Sequence, residues 1–116
     1  MPRWMYMINP EAGDNKHEIA RESEKENHGT IGKYLFFSDD KGKLIDLGKK
    51  IMSTYKLYIA KVPLTKLAKP IPGKGFVICL YDTCPRLVDE LEKFADNEII
   101  TYGHWKTDAD TIANHI

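Results

Sequence analysis

The stretch from Leu57 to Tyr81 limits the possible folds more than any other part of the chain. Leu57 to Val62, apolar but for Lys61, and the apolar run Gly75 to Tyr81 are rich in β-branched and aromatic residues and read as strands. Pro63 halts the first, and Pro70, Pro72 and Gly73 stand before the second. Proline removes a backbone donor and clashes with the preceding helical turn, so Leu64 to Lys74 reads as a loop, rich in lysine at Lys66, Lys69 and Lys74. Parallel neighbours need a long crossover, usually a helix. Without one here, a doubly wound parallel sheet is ruled out. Gly75 to Tyr81 lacks polar alternation, which predicts a central strand buried on both faces.

The other elements fit around this pair. Trp4 to Ile8 is an uncharged apolar run stopped by Asn9-Pro10, and Lys33 to Ser38 follows Gly29 and Gly32, so both read as strands. Asp39-Asp40-Lys41-Gly42 is a turn. Leu44, Leu47, Ile51 and Tyr55 then recur at helical spacing and predict a helix over 44–55. Pro85 suits a first helical turn, and Leu87, Val88, Leu91, Phe94 and Ala95 give a stripe for a helix over 85–95. Residues 99–105 form the last strand, and the tail from Asp108 to Ile116 is either a short helix or a partly ordered end. Glu11 to His28 is dense in charge and offers few apolar residues, Ile19 and Ala20 among them, to a core. It reads as a polar helix from Asn15 or a mobile loop, and as the least stable segment. The expectation is a single α+β domain over 1–116, a mostly antiparallel sheet with two main helices on one face. Its core should include Phe36, Ile51, Val77 or Ile78, Leu91 and Phe94.

Composition narrows function. Seventeen basic and 17 acidic residues give a formal net charge of zero. A broad nucleic-acid binder needs a positive excess, so that class is excluded, but a local basic pocket is not. No apolar run reaches the length of a membrane span, and Met1-Pro2-Arg3-Trp4 lacks a signal-peptide core, so the expected location is cytoplasmic. Cys79 and Cys84 match neither a redox nor a zinc spacing and read as reduced thiols. Asp39-Asp40 has no third ligand at a recognisable interval. With no P-loop, dinucleotide fingerprint or nucleophile elbow, no metal and no cofactor is expected.

Three short segments place a lysine among apolar or aromatic residues: Gly32 to Phe37, Ile59 to Val62 and Trp105 to Asp108. An ammonium beside apolar bulk needs a partner, and several that converge can hold a phosphate or carboxylate. Lys33, Lys61 and Lys106 are the candidates. The alternatives are a solvated strand start for Lys33 and an aggregation-blocking edge lysine for Lys61. In the last strand, period-2 alternation puts Ile100, Tyr102, His104 and Lys106 on one face. That set could bind an anion or do acid–base work, or be an ordinary solvated face. Trp4 and Trp105 could stack a base, although aromatics in so small a chain are more often core.

Ile31 to Phe36, Ile59 to Val62, Phe76 to Tyr81 and Tyr102 to Thr111 resemble, in order and spacing, segments of the Bles family. These are the basophilic-leukaemia-expressed proteins, labelled phosphothreonine lyase-like. The resemblance spans about 31–111, with Trp4 to Pro10 answering the family's opening strand. It implies a fold similar to the cap-binding translation initiation factor, a curved antiparallel sheet backed by helices. It also marks Lys33, Lys61, Lys106, Asp108 and Thr111 as the family's recurrent polar positions. The chain departs at Tyr34, where a tryptophan is usual, and in ending soon after Thr111, which would remove one wall of a pocket. The expectation is a non-enzymatic domain that binds a phosphorylated small molecule, a phosphopeptide or an RNA end through Lys33, Lys61, Tyr102, His104, Lys106, Asp108 and Thr111. The alternatives are a lyase-like enzyme with Lys106 as base and His104 as acid, and a protein-interaction module using the open sheet face. Neither a membrane nor DNA at large is an expected partner.

Overall fold

Strands β1 (Trp4–Ile8), β2 (Gly32–Ser38), β3 (Ile59–Pro63), β4 (Phe76–Asp82) and β5 (Thr101–Thr107) form one sheet in the order β1-β3-β4-β2-β5. Every neighbouring pair is antiparallel. The computed structural model describes residues 3–68, 71–95 and 99–110. β4 is the middle strand, as its unbroken apolar run requires. The loop that precedes it is held by Asp39, whose carboxylate accepts from the backbone N–H groups of Gly73 (3.0 Å) and Gly75 (2.9 Å). The neighbouring Asp40 caps α2 (Lys41–Tyr55) by accepting from the Lys43 N–H at 3.1 Å. The Asp39-Asp40 pair therefore organises backbone.

Among the described residues, α2 and α3 pack on one face of the sheet. Tyr34, Phe36, Ala60, Val62, Ile78 and Leu80 point toward that side and form one hydrophobic cluster with Leu44, Ile51 and Met52 of α2. The approach is close because residue 48 is glycine: a Cβ there would come within 2.4 Å of the Ile78 side chain. α3 (Val88–Leu91), followed by a 3-10 turn over Glu92–Phe94, is much shorter than the helix expected over 85–95. Leu87 and Leu91 are buried in the core; Val88, Phe94 and Ala95 pack against it partly buried, with Phe94 set edge-on to Tyr55 at 6.3 Å. No helix among the described residues is long and apolar enough to cross a membrane.

The charged segment after β1 forms a helix, α1 (Gly13–Ser23), not a mobile loop. Its inward stripe is Asn15, Ile19 and Glu22, at i, i+4 and i+7. The helix is docked mainly by hydrogen bonds. Asn15 Nδ2 donates to Asp82 (3.2 Å), and its Oδ1 accepts from the Tyr58 N–H (2.9 Å). Glu22 accepts from the Thr30 N–H (3.0 Å) and hydroxyl (2.8 Å) and pairs with Lys25. Asp82, fully buried at the end of β4, also accepts from the Thr83 N–H (2.8 Å), the Tyr34 hydroxyl (2.9 Å) and Arg86 Nε (3.1 Å). Tyr34 in turn accepts from the Leu87 N–H, and burial pushes its phenol well above the ordinary range. One carboxylate thus joins α1, the sheet and the entry to α3.

Candidate anion-binding face of the sheet

Residues directly opposite in neighbouring strands share a face. Tyr6 opposes Lys61, Lys61 opposes Cys79, Cys79 opposes Leu35, Tyr81 opposes Lys33 and Lys33 opposes Lys106. These residues lie on the side away from the helices. Three of the expected lysine positions are therefore on one surface: Lys33 from β2, Lys61 from β3 and Lys106 from β5.

The Tyr81 ring lies between two of them. Lys33 Nζ and Lys61 Nζ each sit 5.9 Å from its centroid, so the two ammonium groups are separated by at most twice that distance. Lys61 also stacks over the Trp4 ring at 4.2 Å. Trp4, opposite Pro63 on β1, is therefore not the core residue expected. Trp105 is core-facing, against Tyr34 at 4.9 Å. Burial pushes the Tyr81 phenol well above its ordinary value and the Cys79 thiol up to about 11, despite the pull of Lys61 and Lys33. Neither group supplies an anion near neutral pH, and Asp108 is the carboxylate that pairs with Lys33 here.

Asp108 lies just beyond β5 and answers Lys33. Lys33, only 6% exposed, places Nζ 3.4 Å from Asp108 Oδ1, while His28 Nδ1 lies 2.9 Å from Asp108 Oδ2. His28 is brought there by a tight turn in which Asn27, His28 and Gly29 all have positive φ. A buried ammonium requires a partner of this kind. Lys33 is thus neither a solvated strand start nor a free cation.

The expected set in β5 does not stay together. Between Leu35↔His104 and Phe36↔Tyr102 the register shifts, leaving Gly103 as an extra residue, and His104 adopts φ 64°. Period-2 alternation therefore breaks. Tyr102 faces the helices, stacks on Phe36 at 4.8 Å and donates to the Val88 carbonyl at 2.7 Å. His104 turns its ring onto Tyr102 at 4.5 Å, on that same side. Lys106 emerges on the opposite face, across from Lys33. Gly103 fits because a Cβ there would meet the Phe37 ring at 2.6 Å.

Lys33, Lys61, Lys106 and Asp108 thus share a surface, whereas Tyr102 and His104 do not join them. Thr111 and the tail after residue 110 lie outside the described residues. Tyr81 and His28 were not anticipated, and Trp4 was expected as core more than as a stacking surface. Tyr81 was readable, since it shares a strand face with Cys79, opposite the candidate lysines. His28 carries no local signal because only the turn at 27–29 delivers it. Taken together, the chain is an α+β domain with helices on one side and an aromatic, lysine-bearing sheet face on the other. No family model, no curated protein and no solved structure matches it.

Proposed function

We propose that this sheet face binds a phosphate-bearing ligand that also has a ring to stack, of which the 5′ end of an RNA is the best fit. The observation that carries the reading is Lys61 stacked on Trp4 while it shares the Tyr81 ring with Lys33. Aromatic faces take bases through their π surfaces, and ammonium groups take phosphate as point charges. Asp108 acts as a resident counter-ion for Lys33, and an incoming phosphate competes with it. The domain binds and does not turn over its ligand. It works in the cytoplasm, where the exposed free thiol of Cys84 suits a reducing compartment. The lyase alternative gains no support, since His104 and Lys106 lie on opposite faces.

The test is a titration with inorganic phosphate, a nucleotide cap analogue, a short 5′-phosphorylated RNA and a phosphothreonine peptide, followed by amide shifts. Signals of Trp4, Lys33, Lys61, Tyr81 and Lys106 should move together with RNA or cap analogue. Lys61→Ala should weaken binding by about 1.5–3 kcal/mol, the range for a charge-assisted hydrogen bond. Shifts confined to the lysine-rich loop at 64–74, or none at all, would defeat the reading.

A further inference from the structure

A separate cleft of about 650 Å³ lies on the helix side of the sheet, between α1 and the loop from β4 to α3. That volume falls within the range of small-ligand sites. Its cations are Arg21 of α1, Lys56 just past α2, and Arg86 of the loop. Arg86 has the most constrained position. Its Nε donates to Asp82, which is fully buried and itself held by Asn15, the Thr83 N–H and Tyr34. Nε fixes the plane of the guanidinium, and with the side chain 49% exposed the terminal nitrogens remain for another acceptor. A fork whose base is already anchored loses little freedom on gripping an anion.

The acidic lining decides which anions fit. Glu22 is engaged by Thr30 and Lys25, and Glu18 accepts from the Thr83 hydroxyl at 3.3 Å. With Asp14 they offset the three cations. A polyphosphate would bring several negative charges to a lining whose own charges already balance, whereas a single anionic head, alone or balanced by an amine, would bring at most one.

We propose that this cleft is a binding site for a small monoanionic or zwitterionic molecule, with its carboxylate or phosphate on the Arg86 guanidinium. The site is independent of the lysine face, which lies on the other side of the sheet.

Cys84 lines the cleft as an exposed free thiol, while Cys79 is buried, so labelling by a neutral maleimide reports on this site alone. The full chain is labelled in the presence of millimolar acetate, inorganic phosphate, single free amino acids or tripolyphosphate, with amide shifts recorded in parallel. At least one single-headed probe should slow Cys84 labelling and shift amides of residues 83–86 and 14–22, with tripolyphosphate no more effective. Arg86→Lys keeps a donor for Asp82 but loses the fork, and should weaken protection about tenfold or more while leaving the melting curve close to wild type. Arg21→Ala should weaken it too. The proposal is overturned if no probe protects Cys84 or moves those amides, if protection persists unchanged in Arg86→Lys, or if tripolyphosphate is the best ligand.

Discussion

Replacing Asp82 tests whether a single carboxylate ties α1 to the sheet. Its two oxygens accept from four donors at 2.8–3.2 Å, with no exposure to solvent. Asp82→Ala leaves the Asn15 amide, the Thr83 N–H and Arg86 Nε without their acceptor. Breaking a buried charge pair costs about 3–5 kcal/mol. Because Arg86 is half-exposed and can turn to water, the lower end applies, about 3 kcal/mol. That is a large share of the 5–15 kcal/mol typical of a domain, and a fall in Tm of roughly 10–20 °C. Asp82→Asn keeps the shape but turns one acceptor into a donor facing donors, and should cost about 2 kcal/mol. Urea unfolding followed by circular dichroism gives both values, and amide exchange should show α1 opening first in either variant. An Asp82→Ala protein within about 1 kcal/mol of wild type would refute the reasoning. So would an Asn15→Ala/Asp82→Ala cycle whose two effects simply add, since groups in contact should couple.

Gly32→Ala should destabilise by about 1–3 kcal/mol in the same assay, because a Cβ there would sit 2.2 Å from the rigid Trp105 ring and 2.8 Å from the Lys106 carbonyl oxygen. Glu22 is held down to about 2 from 4.5, first by Lys25 and then by Thr30. Its folded form is the better acid, so its contribution is fully present above the ordinary carboxyl range and is lost as pH falls through about 2; Glu22→Gln should flatten acid unfolding in that window. Asp108→Asn frees Lys33 from its counter-ion and should raise phosphate affinity by about 1 kcal/mol while lowering stability, the opposite binding effect to Lys61→Ala. Calorimetric titration of the two variants side by side would show it, and weakened binding in both would contradict the counter-ion role.

The strands, α2 and the antiparallel order were legible because apolar period and proline position are local properties. An unbroken apolar run had to lie in mid-sheet, and a proline-rich link could not cross over. Three lysines at strand positions were enough to mark one face. What the sequence concealed depended on partners distant in the chain. The stripe of α1 has helical spacing, yet two of its three members are polar, so a search for apolar residues passes over it; only the arrival of Asp82, Tyr58 and Thr30 makes Asn15 and Glu22 fit to bury. The bulge at Gly103 is one unpaired residue, set by register against β2, and it sends Tyr102 and Lys106 to opposite faces where strict alternation keeps them together. Trp4 lies beside Lys61 because β1 pairs with β3, and His28 reaches Asp108 through a three-residue turn at positive φ. Local pattern determined which segments became strands and helices; tertiary pairing decided which charges meet, because a charge finds its partner through space and not along the chain.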